Sequence, residues 1–207
     1  MSANGQHFGF FVEELPGELR NGHRPRNAEQ GRPGLPWVGV PSSGVAYLAK
    51  RAGKPPEVLP QAPEEPAQAS VLETVRYERQ TYLTMLPAGE FRLNGLPLPP
   101  VAILRVGDQL RVGGRWLLHV SRFTRPHIGP TPEEFVGKQC SNCRLEFEPT
   151  TVTYICPNCG TPVHCESEAT KTSEELGPLE CARLMSHCHH CHQRIDLKER
   201  YEYVPEC

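Results

Sequence analysis

No apolar run in this chain of 207 residues approaches the ~20 residues that a bilayer-spanning helix needs, so a soluble protein with no membrane partner is expected. No apolar leader segment opens it. No cysteine precedes Cys140, and of the nine only Cys207 lies beyond Cys191. Thiols gathered in this way suit a reducing compartment better than a disulfide framework, and the cytoplasm is the expected location. An excess of positive charge is missing too, with 22 Lys and Arg against 24 Asp and Glu. The balance is uneven: residues 1–139 hold 16 basic and 13 acidic side chains, residues 140–207 hold 6 and 11. Modules that grip phosphate backbones carry the opposite sign, so no nucleic-acid partner is expected for the C-terminal part. Apolar residues make up 38%, whereas prolines number 22 and glycines 18, a composition of turns and short strands with little helix.

What the chain has instead is a run of metal-ligand spacings. Cys140-Ser141-Asn142-Cys143 is followed by Cys156-Pro157-Asn158-Cys159, then by His164, Cys165 and Cys181, and finally by Cys188-His189-His190-Cys191. A two-residue gap lets both thiolates of a pair reach one tetrahedral ion across a tight turn, and three such pairs together are a strong zinc signal. Two ions need a fourth pair, made by His164 with either Cys165 or Cys181. Neighbouring residues of an extended chain point to opposite sides, which favours Cys181. If alternate pairs share an ion, one site is Cys140, Cys143, His164 and Cys181, and the other is Cys156, Cys159, Cys188 and Cys191. The competing arrangement is a pair of independent ribbons in which the first two pairs meet at one ion. In either case four protein ligands leave no open position, so two structural Zn²⁺ ions are expected. Seven thiolates and two dications would leave this part a further three charges more negative.

The run from Tyr154 through Cys156-Pro157-Asn158-Cys159-Gly160 to His164, followed by Glu180-Cys181, resembles the prokaryotic RING-finger family, which has a CPxCG block, a histidine shortly after it, and a Glu-Cys leading into a short helix. The resemblance covers about the last third of the chain. It departs from the family in its long gap from His164 to Cys181, and in His189 and His190, where RING fingers often carry proline. It implies a cross-braced two-zinc module. It further implies a scaffold, without a nucleophile of its own, that binds a ubiquitin-conjugating (E2-like) enzyme and promotes transfer of a ubiquitin-like protein to a lysine of a protein substrate. By position, Asn142, Leu184 and His190 would touch the conjugating enzyme, and Arg194 would pin the tag. An aliphatic residue is usual where Asn142 stands. The alternatives are a non-catalytic interaction adaptor and, third, a nucleic-acid zinc ribbon.

Upstream, the pattern is that of short strands. His7–Val12, Trp37–Val40 and Val45–Ala49 read as strands, the last two around a turn at Pro41–Gly44. Residues 20–36, with Arg20, Arg24, Arg26 and Arg32, read as a loop, and residues 53–69, with five prolines, as a stiff loop or linker. Alternation is clearer over Val71–Arg76, Tyr82–Leu86, Phe91–Leu93, Val101–Val106, Gln109–Val112 and Arg115–Phe123. The Asn94-Gly95 dipeptide is a strong hairpin signal. From Phe91 through Asn94-Gly95 and Gly107-Asp108 to Leu117 the chain resembles the second half of a forkhead-associated domain, in which an Asn-Gly turn and then a Gly-Asp turn close a β-sandwich. The half that reads phosphothreonine finds no match; Ser42-Ser43-Gly44-Val45 is its nearest remnant.

The expected architecture is therefore mainly β: a forkhead-associated-like sandwich over 1–125, a linker over 126–139, and a RING-like zinc module over 140–207. Within the linker, Thr131 is expected to cap a one-turn helix at Pro132–Phe135. Alternation at Leu145–Glu148 and Val152–Ile155 suggests a hairpin joining the first two pairs. Residues 166–180, with five Glu and one Lys, read as a solvated insertion. Cys181–Met185 suits a short helix, and Ile195, Tyr201, Tyr203 and Val204 a closing strand.

Overall fold

The computed structural model describes residues 6–15, 35–51, 53–64, 69–77 and 80–205; the arginine-rich loop after Pro16-Gly17 and Cys207 lie outside them. These described residues form two compact units, one within 7–77, 81–123 and 201–205, the other within 124–200. Among the described residues no helix is long and apolar enough to cross a membrane.

In chain order the strands of the first unit are β1 (Gln6–Glu14), β2 (Trp37–Gly39), β3 (Gly44–Ala49), β4 (Glu57–Leu59), β5 (Ala69–Tyr77), β6 (Gln80–Leu86), β7 (Phe91–Leu93), β8 (Leu96–Pro97), β9 (Ala102–Leu104), β10 (Gln109–Val112) and β11 (Trp116–Thr124). They make two sheets, ordered β2-β1-β11-β10-β7-β8 and β4-β3-β5-β6-β9. One core lies between the sheets: Phe8, Phe10, Leu110, Val112, Leu118 and Val120 from the first meet Leu48, Leu72, Leu83, Met85 and Leu104 from the second. Period-two alternation explains why these residues make strands. In β10, Leu110 and Val112 are buried while Gln109 and Arg111 are exposed, and in β9 Ala102 and Leu104 flank an exposed Ile103. Such an architecture is a β-sandwich.

Two local features set the registers. The β7–β8 turn holds Asn94 at φ 51° and Gly95 at φ 85°, both in the left-handed region that such a two-residue turn demands. The Asn94 side chain reaches the next turn: its Nδ2 donates to Asp108 Oδ1 at 2.8 Å, and its Oδ1 accepts the Gln109 N–H at 2.9 Å. Asp108 Oδ2 in turn accepts the Arg105 N–H at 2.7 Å. At Gly9, a Cβ would stand 2.4 Å from the Trp37 ring, so only glycine lets that indole lie across β1.

The proline-rich stretch differs from the expected loop. Glu57–Leu59 is strand β4, paired with β3, and Ala69 already belongs to β5. Edge position tolerates the flanking prolines, because one side of β4 has no ladder to fill.

The second unit has β12 (His127–Pro130), β13 (Val152–Ile155), β14 (Pro162–His164) and the one-turn helix α1 (Cys181–Leu184). Its sheet, ordered β12-β13-β14, corrects two expectations. Residues 127–130, expected within a linker, form an edge strand whose proline and glycine sit at its end. β13 pairs with β12 and β14 rather than with residues 145–148, which contribute only a single bridge between Gln139 and Glu146. Thr131 caps no helix either; its hydroxyl donates to the Thr151 carbonyl at 3.0 Å, and the 3-10 turn Glu133–Phe135 starts at Pro132 with no side-chain cap. Of the ten buried residues in this core, five are cysteines; the others are Phe147, Tyr154, Val163, Ala182 and Ile195.

The C-terminal residues part company. Ile195 is buried in the second unit's core, whereas β15 (Arg200–Tyr201) pairs with β11. Tyr201 packs its ring at 4.8–5.0 Å from those of Trp37, Phe11 and Phe123. The Ser121 hydroxyl donates to the Tyr203 carbonyl at 2.6 Å, and Glu202 pairs with Arg122 at 2.7 Å. The closing strand thus completes the sandwich.

Candidate metal centre

Each of the three CxxC pairs sits in the same turn. The backbone N–H four residues after the first cysteine returns to that cysteine's carbonyl: Arg144 to Cys140 at 3.0 Å, Gly160 to Cys156 at 2.8 Å and His192 to Cys188 at 2.9 Å. The first cysteine's own N–H donates to the carbonyl one residue further on, that of Leu145, Thr161 or Gln193, at 2.8–3.0 Å. Chain reversal at that tightness puts the fourth residue past the cysteine in the left-handed region, with φ 68° at Arg144, 77° at Gly160 and 59° at His192. The flanks pair alike as well: Gln139 with Glu146, Ile155 with Pro162, and His187 with Arg194. Three copies of one device each project two thiols to the same side.

The fourth pair is built differently. His164 ends β14 and Cys181 opens α1, and the structure brings Cys181, not Cys165, to the histidine. Two groups result, Cys140 with Cys143, His164 and Cys181, and Cys156 with Cys159, Cys188 and Cys191, the ligand atoms in each lying within 4.8 Å of one another. Alternate pairs therefore interleave. Within the all-cysteine group, Cys156 and Cys191 sulfurs are 3.7 Å apart and those of Cys159 and Cys188 3.6 Å. Four sulfurs at about 2.3 Å from a central ion would stand about 3.8 Å apart, whereas a disulfide brings sulfurs to about 2 Å. The spacing fits a tetrahedral metal ion and not a disulfide, and both groups could hold one.

The imidazole of His164 is fully buried and packs at a 39° tilt against Phe147, ring centroids 4.5 Å apart. Its Nδ1 is 3.3 Å from the Cys143 sulfur, while its Nε2 is buried without a partner among the described residues. Nδ1 is thus the nitrogen available to an ion.

Thiol acidity follows the packing. Burial opposes ionisation of Cys140, but a hydrogen bond from His164 and backbone N–H groups of Cys143 and Asn142 outweigh it and bring its pKa down to about 6. Cys188 is held at about 3 by hydrogen bonds from Cys156 and Cys159. Hydrogen bonds with Cys159 and then with Cys188, together with burial, push Cys156 up. Burial raises Cys181 to about 12 against a hydrogen bond from the Asn142 side chain. Cys165, also buried, is pushed up by desolvation, the condition of an inert thiol. Each group therefore holds one cysteine, Cys140 or Cys188, whose surroundings favour the thiolate.

Of the residues expected to meet a partner, Asn142, Leu184, His190 and Arg194 are all exposed, Leu184 at 80%. Asn142 also has a use the spacing did not suggest, as the side-chain donor to Cys181. Sequence reasoning missed Glu166 as well. It was counted within a solvated insertion, yet its carboxylate is fully buried and bonded to Thr172 and Leu179. No family model, curated protein or solved structure matches the chain.

Proposed function

We propose that the protein is a zinc-dependent RING-type scaffold: two Zn²⁺ ions, held as described, fix a surface that binds an E2-like conjugating enzyme and orients its ubiquitin-like cargo toward a substrate lysine. The single observation that carries this reading is the interleaving of the two ligand groups, which supports the cross-braced module that the CPxCG-to-His164 resemblance implies. Zinc is the ion of choice for seven thiols and an imidazole in tetrahedral spacing. Binding worth ~10–16 kcal/mol in small zinc units exceeds the ~5–15 kcal/mol by which whole domains are stable, and here half of the core is thiol.

The scaffold would act by orientation. A thioester carried by a conjugating enzyme is reactive already; limiting its motion raises its effective concentration at the attacking amine. Leu184, exposed on α1, supplies apolar contact, His190 lies in the third CxxC turn, and Arg194 is the hydrogen-bonding side chain for the cargo. The sandwich, with its linked Asn94-Gly95 and Gly107-Asp108 turns, supports the forkhead-associated-like reading and serves as the recruiting module. Engagement of Asn142 with Cys181 favours a second reading, an adaptor that binds without promoting transfer, because that side chain supports the metal site.

The test is discharge of a charged conjugating enzyme to free lysine in the presence of zinc-loaded protein. Acceleration that drops about tenfold or more (~1.4 kcal/mol per factor of ten) in Arg194→Ala, with zinc content unchanged, supports the scaffold. Binding of the conjugating enzyme without acceleration leaves the adaptor.

A further inference from the structure

Three ligand pairs are preset by the short turn each cysteine pair spans. The fourth is not: residues 165–180 separate His164 from Cys181, and closing a longer loop costs more chain entropy. Apolar packing does little to close it, since residues 168–171 and 174–176 are exposed, Leu176 at 61%. What closes it is one carboxylate. Glu166 is fully buried; its Oε1 accepts the Thr172 N–H at 3.2 Å and the Thr172 hydroxyl at 2.6 Å, and its Oε2 accepts the Leu179 N–H at 3.0 Å. Its own N–H donates to the Leu179 carbonyl at 3.1 Å.

We infer that Glu166 is the positioning residue of the Cys140–Cys143–His164–Cys181 site: by clasping the loop it presents Cys181, and without the clasp this site weakens while the all-cysteine site does not. The inference rests on the metal reading above. A buried carboxylate is costly unless donors meet it. Every group aimed at Glu166 is a donor, so the network is satisfied, and satisfied buried networks specify one geometry. The bonds join the start of the loop to its middle and its end. Leu179 is followed by Glu180, whose carbonyl accepts the N–H groups of Arg183 at 2.9 Å and Leu184 at 3.1 Å. The clasp is therefore two residues from Cys181 and the helical turn that aims it. The all-cysteine site draws on two CxxC turns and owes nothing to this loop.

The experiment uses the full chain loaded with zinc, then competed with a chromogenic chelator, and repeated with Co²⁺. Glu166→Ala is expected to lower the affinity of one of the two ions roughly ten- to a hundredfold, the range for groups that support metal ligands. The ion lost first should be the cobalt bound by three thiolates and an imidazole, leaving the four-thiolate spectrum intact. Glu166→Gln, which keeps one acceptor oxygen, should fall between, and Thr172→Val should weaken the same site by less. Glu168→Gln, an exposed carboxylate of the same loop, should change nothing. Equal weakening of both sites, or wild-type affinity in Glu166→Gln and Thr172→Val, overturns the inference and leaves the metal reading standing. A wild-type chain that retains fewer than two ions overturns the metal reading and the clasp with it.

Discussion

The Nδ1 atom of His164 stands 3.3 Å from the sulfur of Cys143, which orients the ring with its other nitrogen buried and without a partner among the described residues. The histidine is therefore directed into the ligand group through Nδ1, and coordination there would offset the cost of the unpaired Nε2. His164→Ala should leave one tightly held zinc per chain, measured by metal analysis after chelator treatment. His164→Cys, which restores a fourth ligand and removes the orphan, should retain two. Cys156→Ser should weaken the other ion instead.

The repeated turns predict unequal responses to the same kind of change. Arg144, Gly160 and His192 share the left-handed conformation, which costs a side-chain-bearing residue about 1–2 kcal/mol. Gly160→Val should destabilise the zinc-loaded protein by at least that amount. Arg144→Gly should be neutral or stabilising by up to about 1 kcal/mol, since relief of strain is partly offset by the freer unfolded chain. Thermal unfolding at fixed zinc concentration separates the two.

Metal-free protein should lose stability as pH falls from 9 to 6. Cys140 and Cys188 have folded-state pKa values of about 6 and about 3, below the ordinary 9.0. A depressed acid contributes its full stabilisation above the unfolded value and loses it as pH falls toward the folded one. The Cys140 share is thus gone by about pH 6, and the Cys188 share declines further toward pH 3. Cys181, raised to about 12, is protonated in both states below pH 9 and adds no slope there. Denaturation by urea across this range, with and without chelator, measures the effect. A flat profile would contradict it.

In the sandwich, Asn94 combines a left-handed backbone with two side-chain bonds that tie one turn to the next. Asn94→Ala should cost about 2 kcal/mol, the sum of two exposed hydrogen bonds and a conformational penalty. Asp108→Ala should cost about as much, and the double variant less than the sum, because the two share a bond. Urea midpoints read this directly.

Much of this was legible in the residues. Alternation placed β5, β6, β10 and β11 to within a few positions, and the Asn94-Gly95 turn fell where the dipeptide predicts. The CxxC spacings point to six of the eight residues that the two groups bring together, and the geometric objection to neighbouring ligands favours Cys181 over Cys165 as the companion of His164. Other features depend on contacts distant in sequence. His127–Pro130 carries a glycine and a proline and resembles a hinge until β13 offers it a partner. Glu57–Leu59 is hidden by prolines that an edge strand accommodates. Nothing in a run of five glutamates separates Glu166 from its solvated neighbours; only the Thr172 and Leu179 donors do. Tyr201 looked continuous with the cysteine-rich part because it follows it, whereas the ring's packing partners, Phe11 and Trp37, lie more than a hundred residues earlier.

The return of the chain to β11 has a thermodynamic consequence. Arg122 and Glu202 are hydrogen-bonded through backbone and side chains, so everything between Thr124 and Arg200 is, for the sandwich, a single covalent bight whose two ends are pinned a strand apart. While that bight is folded its ends are spaced by structure. Once it becomes random coil, the last strand must hold its place against the entropy of a long floppy tether. Unfolding of that bight by any means then loads the docking of Tyr201 through the polypeptide itself.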